Sequence, residues 1–153
     1  MTIETTTHLN FRGDARAALE FYRSVFGGET VMSTYGDVGM PQGLPDSDNV
    51  VFGRVENESG FRIMAYDIPG HTAAAATGAT YRENGTTVTD QPFFVSVRAQ
   101  TIEELQGYWD ALSSGGKIVE PLAASAWSPG FGMLTDRYGV TWSLDVATSN
   151  DAD

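Results

Sequence analysis

Residues 52–63 read FGRVENESGFRI, and residues 131–142 read FGMLTDRYGVTW. Each stretch has Phe-Gly, an alternating segment, Asn or Asp, two further residues, Gly, and a second alternating segment. Alternation of apolar and polar residues is typical of a half-buried strand, and Asn or Asp followed by Gly favours a tight turn. Each stretch therefore predicts a hairpin, and the offset of 131 − 52 = 79 residues indicates an internal repeat. The alternative is two unrelated hairpins that share common turn residues.

The residues before each hairpin also follow one order. A strand is followed by a helix, which we predict to begin at the N-caps Asp14 and Thr101, and each helix is followed by a Gly-Gly pair that ends it. Glu104 stands at the capping-box position after Thr101. The predicted helices are residues 15–26 and 101–113, and the predicted strands are residues 3–11, 29–35, 50–56, 61–67, 92–98, 117–120, 131–136 and 140–147.

The repeated order of strand, helix and three strands predicts an α+β fold made of two βαβββ modules in a single domain, residues 1–153. Module 1 spans about residues 3–68, and module 2 spans about residues 91–147. Residues 69–90 read as a long connection that could include a short strand or helix, because they contain Pro69-Gly70, an alanine run and Asn84-Gly85.

The composition narrows the range of partners and locations. Nine Lys and Arg stand against 20 Asp and Glu, a net charge of −11, which repels nucleic acid and anionic membrane surfaces. The chain has no cysteine, and no apolar run approaches the roughly 20 residues of a membrane helix. No export signal is evident, so we expect a cytoplasmic protein with neither nucleic acid nor membrane as a partner.

Two further motifs carry a family resemblance. The opening LNFRGDARAALEFY (residues 9–22) and the closing WSPGFG (residues 127–132) with DRYGVTWSL (residues 136–144) resemble the PhnB-like branch of the vicinal-oxygen-chelate superfamily. That superfamily includes glyoxalase I, bleomycin-resistance proteins and extradiol dioxygenases. The usual Asp-Pro-Phe-Gly of the branch is replaced here by Asp-Arg-Tyr-Gly. The resemblance implies paired βαβββ modules that form a curved mixed sheet around a cleft, often completed by a second subunit in a homodimer.

The resemblance also implies four strand positions that hold a metal ion in metal-dependent members. They fall on Thr7, Met64, Pro92 and Ser143 in this chain. None is a normal ligand for a divalent ion, so we expect no intrinsic metal centre and no cofactor. A shift of one residue would bring His8 rather than Thr7 to the cleft, and this register stays open at this stage.

The function that follows is binding of a small molecule in the cleft without an intrinsic metal. The alternative is a metal-free or metal-recruiting enzyme of the isomerase, lyase or dioxygenase class, and a protein-interaction module is a third reading. We expect Arg62 and Asp145 either to form an ion pair or to bind a polar group of the ligand. The candidate ligand-binding residues are Thr7, His8, Arg62, Met64, Tyr66, Trp127, Phe131, Met133, Ser143 and Asp145.

Overall fold

The secondary structure follows the predicted repeat. The computed structural model describes residues 2–70 and 79–148. Predicted bounds are confirmed for α1 and β3, and most other elements agree within a few residues. The elements are β1 (Thr7–Phe11), α1 (Ala15–Phe26), β2 (Glu29–Thr34), β3 (Val50–Glu56), β4 (Arg62–Asp67), β5 (Thr80–Glu83), β6 (Thr86–Thr89), β7 (Val95–Ala99), α2 (Ile102–Ser113), β8 (Lys117–Ala123), β9 (Phe131–Thr135) and β10 (Thr141–Val146).

Each repeat forms its own four-stranded mixed sheet. The strand order is β1-β4-β3-β2 in the first sheet and β7-β10-β9-β8 in the second. In both, the strand before the helix runs parallel to the last strand of the repeat, and the remaining pairs are antiparallel. The α+β class and the two βαβββ modules are therefore confirmed.

The chain divides into two compact units, residues 1–76 and 77–153. The predicted connection does not lie wholly outside the modules. Its later part forms the hairpin of β5 and β6, which turns at Asn84-Gly85 and belongs to the second unit.

The strand register confirms that the two hairpins are equivalent. Arg54 lies opposite Met64 in the first sheet, and Met133 lies opposite Ser143 in the second. The residue numbers of the second pair are those of the first pair plus 79, since 54 + 79 = 133 and 64 + 79 = 143. The two hairpins therefore share both turn and register.

The two hairpin turns are built by the same hydrogen bonds. The Oδ1 atom of Asn57 accepts the backbone N–H groups two and four residues further along the chain, each at 2.9 Å. Asp136 accepts the equivalent two N–H groups at 2.8 and 3.1 Å. A side chain that binds its own turn in this way substitutes for a backbone bond and fixes the hairpin.

The repeated Phe-Gly pair has a packing cause. Gly53 on β3 and Gly132 on β9 lie under the helix of their own unit. A Cβ atom on Gly132 would stand 2.6 Å from the Trp109 ring, and one on Gly53 would collide with the side chain of Leu19. Glycine is needed at both positions because a large helix side chain fills the space above the strand.

The N-terminus of α1 is held differently from the prediction. Asp14 occupies the N-cap position, but its side chain makes no capping hydrogen bond. The buried carboxylate of Asp67, at the end of β4, instead accepts the N–H groups of Gly13 at 2.8 Å and Ala15 at 3.0 Å. Its second oxygen accepts the N–H of Val50 at 2.9 Å. One carboxylate therefore joins the start of α1 to β3 and β4.

The N-terminus of α2 agrees with the prediction. The Thr101 hydroxyl accepts the N–H of Glu104 at 3.2 Å, as an N-cap does. Each helix is 12 residues long. Among residues 2–70 and 79–148, no helix is long and apolar enough to cross a membrane.

Candidate functional site

The two faces of the first sheet differ in what covers them. Leu9, Ile63 and Ala65 are buried on the side of α1. Because successive strand residues point to opposite faces, the residues between them project from the other side, which we call the open face of the first sheet. It carries Val31, Phe52, Arg54, Glu56, Arg62, Met64, Tyr66, His8 and Asn10.

His8 rather than Thr7 belongs to this open face. Thr7 shares the parity of the buried β1 residues and lies on the helix side of the sheet. His8 is exposed and lies opposite Met64 in the parallel pair of β1 and β4. Its Nδ1 atom is 3.1 Å from Oδ1 of Asn10, and its ring meets Tyr66 edge-on at 5.4 Å between centroids. The open register is thereby resolved, and His8, Met64 and Tyr66 are brought together.

Two arginines flank Met64 on the same face. Arg62 forms an ion pair with Glu4 at 3.1 Å and donates to the carbonyl oxygen of Thr5 at 3.2 Å. The Nε atom of Arg54 is 3.6 Å from a carboxylate oxygen of Glu56, which is too long for a good hydrogen bond. The Nε atoms of both arginines are buried and find no hydrogen-bond partner within the described part of the chain.

Four predicted residues lie on the corresponding open face of the second sheet. Ser143 is opposite Met133, and Asp145 is opposite Phe131, in the pair of β10 and β9. Trp127 lies in the loop before β9 and contacts the ring of Phe131 at 4.8 Å between centroids. Trp127 is 56 % exposed, so this aromatic pair faces solvent on one side.

Arg62 and Asp145 each form an ion pair within their own unit. Asp145 lies opposite Arg98 on β7, which donates to its carboxylate twice, at 3.1 and 2.8 Å. A bidentate guanidinium–carboxylate pair is the strongest common form of such a bond. Both oxygens of Asp145 are thus engaged within its own unit, while Arg62 binds the N-terminal segment of the first unit.

Met133 is covered by the β5–β6 hairpin and does not form an exposed pocket wall. It is 3 % exposed, and the Thr87 hydroxyl donates to its sulfur at 3.4 Å. Arg82 of the same hairpin binds Thr87 at 2.9 Å and Glu120 of β8 at 3.2 Å. The hairpin therefore shields part of the second open face, which the sequence did not predict.

The four positions implied for a metal ion need two corrections. Pro92 lies before β7, outside any strand, and the residue opposite Ser143 is Ser96. With His8 opposite Met64, the four positions therefore hold one imidazole, one thioether and two hydroxyls. This set does not fit a divalent ion, which needs several imidazole, carboxylate or thiolate donors. No three His, Cys, Asp or Glu lie together as a metal site in residues 2–70 and 79–148, and His71 falls outside them.

A hollow of about 350 Å³ lies elsewhere in the first unit, on the helix side of the sheet. It is lined by Glu20, Arg23, Glu29, Thr30 and Met32, and none of the predicted site residues reaches it. Thr30 Oγ1 is buried and has no hydrogen-bond partner among the described residues. The hollow is therefore lined by side chains of α1 and β2.

Tyr35 links the loop after β2 to the end of β4. Its hydroxyl donates to the carbonyl oxygen of Asp67 at 2.6 Å. Burial raises the pKa of the Tyr35 phenol, and the nearby Tyr66, Asp46 and Asp67 raise it further. The phenol is therefore held neutral, as a donor, beside the residues of the first open face.

Sequence reasoning missed Arg54 and Asn10 on the first open face. The repeat could have revealed Arg54, because the offset of 79 places it at the position of Met133, which was selected. Asn10 follows from the alternation of β1 once His8 is assigned to the open face. The contact of Asn10 with His8 depends on side-chain conformation and has no sequence signal.

Comparison with known proteins agrees with this architecture. A family model described as the glyoxalase/bleomycin resistance protein/dioxygenase superfamily matches residues 6–144. Protein YjdN of Escherichia coli K12 is 27 % identical over 146 residues, covering 91 % of this chain and 92 % of YjdN.

Two solved structures share the fold over nearly their full length. Protein PA1353 of Pseudomonas aeruginosa has a TM-score of 0.75 and 27 % identity, covering 95 % of this chain and 98 % of PA1353. The PhnB protein of Bacillus cereus has a TM-score of 0.68 and 25 % identity, covering 95 % of this chain and 100 % of that protein. With the βαβββ repeat and the matching family model, these similarities give one conclusion: the chain belongs to the glyoxalase/bleomycin resistance protein/dioxygenase superfamily.

Proposed function

We propose that the chain binds a small molecule on the open face of its first sheet, without an intrinsic metal centre. The observation that carries this proposal is the cluster of His8, Met64 and Tyr66, which meet on one face of β1 and β4. An aromatic ring, a thioether and an imidazole together suit a partly apolar ligand with polar groups.

The exposure of the cluster supports ligand contact. His8 is exposed, Met64 and Tyr66 are half-buried, and Phe52 on the neighbouring strand is 37 % exposed. Large apolar side chains that share a face with unpartnered polar atoms are typical of binding surfaces. The equivalent face of the second unit is less available, because the β5–β6 hairpin covers Met133 there.

The metal-free part of the proposal rests on the donor set. His8 is the single strong donor among His8, Met64, Ser96 and Ser143. We expect elemental analysis of the purified protein, after washing with a chelator, to find no stoichiometric zinc, nickel, manganese or iron. One retained equivalent of any of these metals would refute this part.

Binding can be tested with a library of small aromatic compounds by two-dimensional NMR. We expect ligands to shift signals of β1 and β4, and Tyr66→Ala to weaken binding roughly 3- to 10-fold, the range for loss of one aromatic contact. Tyr81→Ala is the matched control, because Tyr81 is 45 % exposed but lies on β5 of the second unit. Equal effects of both substitutions, or shifts confined to other elements, would refute the proposed location.

A second candidate function is a metal-free enzyme that moves a proton, and the geometry of His8 favours it. If Nδ1 donates its N–H to Oδ1 of Asn10, which lies 3.1 Å away, Nε2 of the neutral imidazole is the atom that could accept a proton from a bound molecule. Deuterium exchange into the methyl group of acetophenone in D2O would reveal such an activity. Exchange that is absent, or equal in His8→Gln, would refute the enzymatic alternative.

A further inference from the structure

We propose that the ligand of the first open face carries an oxyanion, a carboxylate or phosphonate, which Arg54 and Arg62 recognise through their Nε–H groups. This inference rests on the proposed function and specifies its ligand class. The carrying observation is that both Nε atoms are buried yet lack an acceptor in the described part of the chain. A buried N–H without an acceptor is costly, so such groups are rare outside binding sites and strained regions.

The register brings the two donors to one place. Arg54 lies directly opposite Met64, and Arg62 precedes Met64 by two residues on the same face of β4. The two arginines are therefore diagonal neighbours across an antiparallel pair, about 7–8 Å apart at the backbone. Long guanidinium side chains at this spacing reach the same small anion, and the planar fork of arginine matches the oxygens of a carboxylate or phosphonate.

The charges around the two arginines do not satisfy them. Glu56 stands 3.6 Å from Nε of Arg54, and Glu4 binds NH1 of Arg62 rather than Nε. Both carboxylates are substantially exposed, with 46 % and 71 % of their side chains accessible. Exposed pairs of this kind are weak, so an incoming anion can compete with them.

The internal repeat provides a comparison within the same molecule. Adding 79 to Arg54 and Arg62 gives Met133 and Thr141 on the second sheet. The Met133 sulfur accepts the Thr87 hydroxyl at 3.4 Å, and the Thr141 hydroxyl pairs with Thr135 at 2.8 Å. The second sheet therefore has no cation and no unsatisfied donor at these two positions. At these two positions the unsatisfied Nε–H groups are therefore found on the first sheet and not at the equivalent positions of the second.

The rest of the first open face suits the body of such a ligand. Phe52 lies two residues before Arg54 on β3, and Val31 lies opposite Arg54 on β2. Tyr66 lies two residues after Met64 on the same face of β4. An oxyanion held by the arginines would leave an attached aromatic or aliphatic group against these side chains.

The test compares four probes of similar shape by isothermal titration calorimetry: phenylphosphonate, benzoate, benzyl alcohol and benzylamine. We expect both anions to bind at least about tenfold more tightly than benzyl alcohol, the effect of a charge-assisted hydrogen bond. Arg54→Gln should remove that advantage, and Arg54→Lys should restore only part of it, since lysine keeps the charge without the Nε–H fork. Arg16→Gln is the control, with the same charge change on α1, and should retain the advantage.

The outcomes separate this inference from the proposed function. If benzyl alcohol or benzylamine binds as tightly as benzoate, and Arg54→Gln changes nothing, the oxyanion inference is overturned while small-molecule binding stands. If none of the four probes binds, both are overturned. Selective anion binding that is lost in Arg54→Gln and kept in Arg16→Gln supports both.

Discussion

The substitution Asp136→Asn tests the turn that the repeat predicts, because it changes one hydrogen bond and almost no volume. Oδ1 of Asp136 accepts two backbone N–H groups of its own turn, and Oδ2 accepts the indole N–H of Trp142 at 2.9 Å. Asp136 is 4 % exposed and Trp142 is fully buried. An asparagine that keeps its oxygen on the turn must direct its NH2 group at the indole N–H, so a donor faces a donor.

The expected loss follows from the bond removed. A buried hydrogen bond to a charged acceptor contributes about 1.5–3 kcal/mol, so we expect Asp136→Asn to lower the free energy of unfolding by about 2–3 kcal/mol. In a Trp142→Phe background the indole N–H is absent, and the same substitution should cost less than about 1 kcal/mol. The difference between the two costs measures the bond between Asp136 and Trp142.

Urea denaturation followed by circular dichroism at 222 nm gives the four free energies of this cycle, provided that the m-value stays constant. A loss below about 0.5 kcal/mol for Asp136→Asn, or an equal loss in both backgrounds, would refute the reasoning.

The reciprocal substitution Asn57→Asp is the matched companion in the first unit. Nδ2 of Asn57 donates to the carbonyl oxygen of Phe26 at 2.9 Å, so a carboxylate there would place two acceptors together. We expect faster hydrogen exchange in α1 and β3, and not in α2 and β9. The opposite distribution would contradict the assignment of this turn to the first unit.

Three further predictions concern stability. Asp67→Asn should lower the free energy of unfolding by about 2–3 kcal/mol. Both carboxylate oxygens accept backbone N–H groups, and an amide has only one oxygen that can do so. An unchanged urea midpoint would contradict this prediction. Gly132→Ala should cost about 1–3 kcal/mol by forcing a methyl group against Trp109, and a melting temperature equal to wild type would contradict it. Hydrogen bonds from the backbone N–H and the side chain of Thr34 lower the pKa of Asp37. Their contribution to stability is therefore fully present above the ordinary aspartate pKa, and it is lost as the pH falls through the lowered pKa of Asp37. An NMR titration of Asp37 with a midpoint at or above the ordinary value would contradict it.

The architecture could be predicted because its signals are local and occur twice. Alternation fixed the strands, Gly-Gly pairs marked the helix ends, and the offset of 79 related the hairpins. The two helices resemble each other less closely than the two hairpins do. Aligning Leu19 with Leu105 pairs Tyr22 with Tyr108, yet Tyr22 is buried and the buried aromatic of α2 is Trp109. The hydroxyl of Tyr108 instead bonds to Glu104 at 3.0 Å on the helix surface. One residue is 100° of rotation on a helix, so a small error in alignment changes which side chain faces the sheet.

The candidate site was predicted only in part, for a related reason. Strand parity selects a face correctly once the register is known, and it brought Arg62, Met64 and Tyr66 together. The alternation of β1 separates His8 from Leu9 and Phe11, but the family resemblance indicated Thr7, and the strand pairing was needed to decide between them. Strand parity also could not show that Asp145 would bind Arg98, since that pair joins parallel strands almost fifty residues apart in the chain.

The two units share their strand order, but different side chains form their buried hydrogen bonds. This difference bears on function. In the first unit Asp67 ties α1 to the sheet, and at the equivalent position, 67 + 79 = 146, the second unit has Val146. The second unit has a different buried tie, in which the Ser128 hydroxyl lies within hydrogen-bond distance of the carbonyl oxygens of Gly130 and Val146, at 2.7 and 3.1 Å. The two units therefore form different internal ties, and in both ties the buried polar side chain has hydrogen-bond partners. The buried Nε atoms of Arg54 and Arg62 depart from this pattern, whereas Met133 and Thr141 at the equivalent positions of the second sheet have hydrogen-bond partners. The exception lies on the same face as His8, Met64 and Tyr66, and a ligand that supplies the missing acceptors accounts for both observations.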